Sequence, residues 1–534
     1  MRPLSNQTHI PNYKIIITTI TAIRSISMAS FMIAIILLLL LSLYTIFLLL
    51  TGGQNHRKTS RKLPPGPRPL PIIGNLHQLG TLPHRSLQKL AQKHGPIMSL
   101  KLGTIQSIVL SSPKAASLFL KTHDTNFASR PKLQASEYVS YGSKGMAFSE
   151  YGPYWRSVRK LCTSQLLSGS KTESFAKLRK EVVGCLVESV KKSAVDGEVV
   201  DLSGKISEVV EDIATTMIFG KKSRDDRYNL KGLAQELLSL AGAFNLADCV
   251  PFLGVLDLQG LRKRMKKASN FVDQVLENII SEHQKDTNPQ HQDFVNVLLP
   301  LMNQPLNPQD EHVYIIDRTN IKAILLDLMV AAFDTSATTI DWTIAELLKN
   351  RRVMKKLQDE LQSVIGMDKM VEENDLAKLS YLDMVVKESF RLHPIAPLLV
   401  PRECIEDTII EEHWIPKKSR VMVNAWAIGH DPNVWSENVE EFYPERFIER
   451  NIDLKGHDFE LLPFGSGRRM CPGMQSGLTI VRLVLAQILH CFDWELPSGM
   501  QPKDIDMAEI FGLSVARANH LLLKPTYRLI GKTT

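Results

Sequence analysis

Close to the C-terminus the chain reads Pro463-Phe464-Gly465-Ser466-Gly467-Arg468-Arg469-Met470-Cys471-Pro472-Gly473 and then enters a stretch of helical period over residues 478–492. A cysteine in a glycine-rich loop that leads into a helix has its thiolate stabilised by backbone N–H groups and by the positive end of the helix dipole. The glycines let the backbone approach a flat ligand closely, and Arg469 can hold a carboxylate on that ligand through a charge-assisted bond. Such a loop suits one thiolate bound to a metal inside a macrocycle. The plainer alternative is a glycine-rich turn around an inert buried thiol. A second set of reactive groups lies at Asp334-Thr335-Ser336, in the apolar middle of a pattern over 319–350 that contains no Gly or Pro. A carboxylate beside a hydroxyl is costly to bury unless something uses it, and moving protons is a use that needs such positioned groups. A solvated helix face is the other reading.

These groups need elements to carry them. Residues 319–350, which Thr319 could cap, read as a helix running through the core because the apolar residues lie nearly all round. Amphipathic helices are expected over 170–193, over Leu202–Phe219 and over 261–283, and runs at Ile97–Leu102 and 107–110 around Gly103 suggest a hairpin. Residues 284–292 and 303–312 read as loops. The expected fold class is mainly α with small β-sheets, without internal repeats.

With 44% hydrophobic and 22% charged residues the 534-residue chain is globular rather than disordered. Its net charge of +8 is not concentrated in a basic tract interleaved with aromatics, which argues against nucleic acid as a partner. The six cysteines are scattered without any CxxC pair, so neither a zinc knuckle nor a disulfide framework is expected. Residues 31–50 are free of charge, and a helix of that length spans about 30 Å, the thickness of a bilayer core. A cleaved signal peptide would usually have a shorter apolar run. His56, Arg57, Lys58, Arg61 and Lys62 follow the run, whereas only Arg2, Lys14 and Arg24 precede it, so the bulk of the chain is expected on the cytoplasmic side. The expected division is an extension over 1–27 (with Met28 an alternative start), an anchor over 28–51, a basic and Pro-rich hinge over 52–70, and a catalytic domain over 71–534.

The loop at Phe464, Gly467, Arg469, Cys471 and Gly473 resembles the F-x-x-G-x-R-x-C-x-G haem signature of the cytochrome P450 family. The resemblance implies the P450 fold behind a single N-terminal transmembrane helix, haem b as cofactor, and Cys471 as the axial ligand to its iron. Glu388 and Arg391 with Arg446 are similar to the family's structural Glu–Arg–Arg network. Trp155 and Arg159, one helical turn apart, would give donors to a haem propionate. Ala331-Ala332-Phe333-Asp334-Thr335-Ser336 resembles the oxygen-activation motif, which makes Asp334 and Thr335 the proton-delivering pair. Ala332 stands where glycine is usual, which leaves open the size and placement of the substrate.

The Pro64-Pro65-Gly66-Pro67 hinge and the segment Asn424-Ala425-Trp426-Ala427-Ile428 look most like plant A-type microsomal members. The resemblance then implies a monooxygenase of the endoplasmic reticulum membrane, single-pass with its catalytic domain in the cytoplasm. It would insert oxygen from O2 into a hydrophobic specialised metabolite such as a terpenoid, alkaloid or phenolic. Electrons would come from NADPH through the flavins of a cytochrome P450 reductase, docked near Arg156, Arg159, Lys160 and Arg468. The substrate would meet Ala331, Ala332, Ile395, Leu398, Phe511 and Leu513. A haem-thiolate isomerase or dehydratase, or a haem-binding sensor or electron carrier, are the rival readings. The first would be favoured by a broken acid–alcohol pair and the second by an identifiable second protein ligand to the iron.

Overall fold

Long apolar periods become helices and short β-branched runs become strands throughout the computed structural model, which describes residues 31–45, 62–220, 228–286, 292–306, 313–436 and 438–530. In chain order the longer helices are α1 Phe31–Thr45, α2 Pro83–His94, α3 Pro153–Leu161, α4 Ala176–Asp196, α5 Leu202–Phe219, α6 Leu230–Gly242, α7 Leu261–Lys285, α8 Arg318–Lys349, α9 Arg351–Ile365, α10 Ser380–Leu392 and α11 Met474–Cys491. The strands that matter here are β1 Ile97–Leu102, β2 Ile105–Leu110, β3 Val200–Asp201, β4 Arg402–Glu403, β5 Arg420–Val423, β6 Phe492–Glu495, β7 Glu509–Ile510, β8 Ala516–Arg517 and β9 Leu522–Tyr527. The chain is mainly helical with small sheets, as its periodicity requires.

The chain divides into two units, residues 1–62 and 63–534. Of the first, α1 is described. It is exposed along its length and covers residues 31–45 of the expected anchor; the flanking 28–30 and 46–51, and the extension 1–27, lie outside the described residues. In the second unit the expected hairpin is the β1–β2 pair, turned at Gly103 with φ +63°. It continues into a four-stranded sheet of order β1-β2-β5-β4, in which β2 and β5 run parallel. The Pro-rich segment lies against this sheet. Ser99 donates its N–H to Pro65 O at 2.8 Å, and a Cβ at Gly66 would come within 1.9 Å of Ser99 O. Only glycine fits between those prolines, and residues 63–70 pack as part of the second unit.

α8 is the axis of that unit. Its cap is Asp317, which accepts the N–H of Asn320 at 2.7 Å while Asn320 Oδ1 accepts the N–H of Asp317 at 2.8 Å. The helix therefore starts one residue before Thr319, because a carboxylate caps better in that reciprocal arrangement than the threonine two residues further on. It packs against α5, α6, α10 and α11, and the main apolar cluster forms around it. α5 runs as expected from Leu202 to Phe219, with Asp201 capping its start and Gly220, at φ +68°, ending it. The helix expected over 170–193 is broken. Phe175 leaves helical geometry and sets its ring edge-on to Phe294, 5.9 Å between centroids, so a short helix Gly169–Ser174 precedes α4. Tertiary packing outweighs local propensity there.

Candidate active site

The cysteine loop is built by its own backbone. Cys471 donates its N–H to Phe464 O at 2.9 Å, and Met470 donates to Gly467 O at 3.0 Å. Gly467 has φ +68°, and a Cβ there would lie 2.4 Å from Leu120 O and 2.7 Å from Asp124 Oδ1. Its glycine is thus demanded by the protein's own close packing, not only by approach of a ligand. A Cβ at Gly473, by contrast, would meet only Cys471 Sγ, at 4.0 Å. The thiol sits at the start of α11. Burial pushes it up, while the N–H groups of Gly473 and Met474 and the Arg159 charge pull it back toward the thiolate. Phe464 holds the loop by packing edge-on to Phe390 of α10, 5.4 Å between centroids.

Beside the loop the structure gathers four guanidiniums. Arg159 on α3 donates to Met470 O at 2.6 Å. Arg469 donates from Nε to Ala128 O at 2.6 Å and from Nη2 to Ser149 O at 2.5 Å, and stacks on Trp155 with 4.1 Å to the ring centroid. Two members were not foreseen from the sequence, Arg130 and Arg402; each is a lone arginine in an unremarkable stretch, without a partner at helical spacing to mark it. Burial and the neighbouring guanidiniums of Arg402 and Arg159 hold Arg469 down to about 9, and Arg130 is lowered by burial and by Arg469, Arg402 and Arg159. Asp124 answers part of this charge, at 3.0 Å from Arg402 and 2.9 Å from Arg468. Trp155 is in place beside the cluster, but its single N–H is donated to Met146 O at 3.1 Å.

The acid–alcohol pair sits where α8 opens. Ala331 and Thr335, one turn apart, are accessible in the middle of a helix that is otherwise largely buried. Thr335 donates its hydroxyl to Ala331 O at 2.9 Å. Asp334 accepts the hydroxyl proton of Ser514, from the loop between β7 and β8. A Cβ at Gly477 would meet Ser336 Oγ at 3.7 Å, so the helix that follows Cys471 crosses α8 next to Thr335. The loop holding Ser514 is fixed in turn: Val515 donates to Ile395 O at 2.8 Å and accepts Trp342 Nε1–H at 3.0 Å. This gathers the turn at Ile395 and the 511–514 loop beside Ala331 and Ala332. Phe511 stacks on His84 of α2, 5.8 Å between centroids, and Leu398 packs toward the sheet. Leu513 lies under the end of α6, where a Cβ at Gly242 would come within 2.4 Å of its nitrogen.

Glu388 on α10 is fully buried and doubly paired. Arg391 reaches it from Nε and Nη2 at 2.8 Å each, and Arg446 from Nε at 2.9 and 3.0 Å. Arg391 also donates to Gly429 O and Val439 O, tying distant loops to α10. One carboxylate thus joins two guanidiniums and through them several main-chain carbonyls, which suits a structural tie.

Residues 64–523 match the sequence profile of the family described as Cytochrome P450. The chain belongs to the cytochrome P450 family. It is similar to a cytochrome P450 of Panax ginseng, 55% identical over 474 residues that cover 88% of this chain and 95% of the relative. It is also similar to the desmethyl-deoxy-podophyllotoxin synthase of Sinopodophyllum hexandrum, at 42% identity over 91% of this chain and 96% of that one. The premnaspirodiene oxygenase of Hyoscyamus muticus is likewise 42% identical, over 91% and 98%. This P450 is a monooxygenase, and its family implies haem, O2 and a hydrophobic substrate. The residues fit the haem: a cluster of four guanidiniums with few carboxylates nearby is unfavourable alone and is relieved by two propionates, and Cys471 offers a soft sulfur with two N–H groups aimed at it.

Proposed function

We propose that this P450 is a membrane-anchored enzyme of the endoplasmic reticulum that oxidises an apolar specialised metabolite of the terpenoid, alkaloid or phenolic kind. The observation that carries this reading is the accessible Ala331–Thr335 stripe on α8, with Asp334 tethered beside it and apolar side chains around it. Bound haem supplies the activation of O2 and the oxidation of a C–H bond. Cys471 would bind its iron through the sulfur, and Arg159, Arg469, Arg130 and Arg402 would hold its propionates. Trp155 acts through its ring, under Arg469, rather than through its N–H. Thr335 donates its own hydroxyl proton to Ala331 O, which leaves the Oγ1 lone pairs to accept a hydrogen bond from a water and hold that water in place. Asp334, aimed by Ser514, exchanges protons with solvent as the acid of the pair. Ala331, Ala332, Ile395, Leu398, Phe511 and Leu513 exclude water and orient the substrate.

Two features support the membrane and reductase readings. The second unit exposes Leu70, Ile72 and Ile73 as well as Phe252, Val255, Leu256 and Leu258. The two groups adjoin, since Gly103 donates to Ile73 O at 3.1 Å and Thr104 to Cys249 O at 2.8 Å. A continuous apolar patch of that kind fits a bilayer surface. Arg156 and Lys160 are exposed one turn apart on α3, and half-exposed Arg468 lies near them; this basic face suits an acidic flavoprotein that takes electrons from NADPH. The test is expression in microsomes with a plant reductase, followed by feeding of sesquiterpene hydrocarbons, lignan precursors and alkaloids. An oxygenated product that requires NADPH is expected from one of these classes. Conversion of an oxidised lipid without NADPH would overturn the reading in favour of an isomerase.

A further inference from the structure

Asp327 lies on α8, seven residues before Asp334, and takes no part in the chemistry described so far. Its Oδ2 accepts the N–H of Met146 at 2.6 Å and of Ala147 at 2.8 Å, and Oδ1 accepts the Ser140 hydroxyl at 3.4 Å. Burial pushes the carboxyl up to about 6 against the pull of these bonds. Among the described residues no Lys or Arg forms an ion pair with it. A carboxylate so enclosed without a cation is expensive, and the stretch it holds carries the carbonyls of the clamp: Met146 O belongs to the same peptide as Ala147 N–H, and Ala147 O to the next peptide along. Met146 O accepts Trp155 Nε1–H at 3.1 Å and Arg469 Nη1–H at 3.4 Å, while Ala147 O accepts Arg130 Nε–H at 3.2 Å.

We propose that Asp327 is a positioning residue that sets the haem clamp through the main chain of Met146 and Ala147. The proposal rests on the reading of Arg130 and Arg469 as propionate holders. A negative acceptor on the N–H side of a peptide polarises its carbonyl and strengthens the bond that carbonyl accepts. The bonds that Arg469 and Trp155 make to Met146 O are thereby strengthened, Arg130 is placed through the fixed main chain at Ala147, and the remaining guanidinium N–H groups are held ready for the haem carboxylates. The loop's own hydrogen bonds, such as Ser143 N–H to Ser136 O, hold it in a strained course. Tyr141 and Ser143 have φ +49° and +66°, conformations that cost non-glycine residues of order 1 kcal/mol or more each, so an outside tie is needed. The contact is also close: a Cβ at Gly145 would lie 2.2 Å from Asp327 Oδ2.

The experiment is haem transfer from the full-length holoprotein to excess apomyoglobin, with KM and kcat measured alongside. Asp327→Ala is expected to speed haem loss roughly 10–100-fold, the range seen when groups behind a cofactor's ligands are removed. Asp327→Asn, whose amide oxygen can accept both N–H bonds, is expected to restore most of the wild-type rate. Asp273→Asn is the control, because Asp273 ties the same loop through the Tyr141 hydroxyl at 3.2 Å without touching Met146 or Ala147; its rate should match wild type. Equal haem loss in Asp327→Ala and wild type, or equal acceleration in Asp327→Ala and Asp273→Asn, overturns the proposal. Should Asp327→Ala not fold, Gly145→Ala tests the same contact by pressing a methyl against it, and a wild-type rate there overturns it too. Absence of haem from the wild-type protein would instead sink the reading on which the proposal rests.

Discussion

In the proposed function Thr335 and Ser514 bear on one proton path, Thr335 directly and Ser514 through its hydrogen bond to Asp334. Thr335→Ala removes the hydroxyl that holds the water in place, and product formed per NADPH should fall by roughly tenfold or more, as expected when a group that positions a proton carrier is lost. Ser514→Ala should act in the same direction but more weakly, since it only frees Asp334 from its tether. Measuring product against NADPH consumed in both variants checks this, and unchanged coupling in Thr335→Ala would remove it from the path. Cys471, Asp334 and Thr335 were legible in the sequence because their neighbours in the chain are also their neighbours in space. Arg130, Arg402 and Asp327 were not. The partners of the two arginines are the carbonyls of residues 147, 400 and 401 and of Ser466, and those of Asp327 are the N–H groups of Met146 and Ala147, brought together only by folding. A lone arginine or aspartate in sequence carries no sign of such a main-chain partner.

Among the elements, α10 and α8 bear the most. Glu388 on α10 is fully buried and is the one carboxylate between two guanidiniums, so Glu388→Gln leaves Arg391 and Arg446 facing each other with no negative charge between them. Breaking a buried network from one side costs about 3–5 kcal/mol, a large share of a domain's stability. The expected outcome is loss of folded, haem-loaded protein on expression, read by the yield of haem per polypeptide; a wild-type yield would contradict it. Element boundaries were legible where a cap and a glycine bracket one apolar period, as Asp201 and Gly220 bracket α5. They were not legible at Phe175, where a ring contact with a residue more than a hundred positions away ends one helix and starts another. Nor does periodicity show why Pro64-Pro65-Gly66-Pro67 is pinned to β1 rather than left as a free spacer; that follows from the missing Cβ at Gly66.

For the molecule as a whole, stability is tied to pH through a histidine that folding keeps neutral. His430 is buried between stacked Trp426, 3.8 Å between centroids, and the charge of Arg391, and burial lowers it from 6.5 to about 3. The unfolded chain takes up a proton below about 6.5 that the folded chain refuses until about 3, so this contribution is present above 6.5 and is lost as pH falls between those values. Denaturant midpoints measured from pH 7 to pH 4 should fall, and His430→Gln should fall less steeply; parallel slopes would contradict it. The mainly helical fold was legible from composition and period, and its architecture follows from one long apolar helix that needs partners on every side. How distant segments come together was not, since β9 pairs with β3 across some 320 residues.

The most direct test is the carbon monoxide difference spectrum of the reduced full-length protein beside Cys471→His, a variant that can still ligate iron. The wild type is expected to show the far-red Soret band of thiolate ligation, and Cys471→His to bind haem without it. A wild type lacking that band, or a variant that keeps it, would contradict the assignment of the sulfur to the iron.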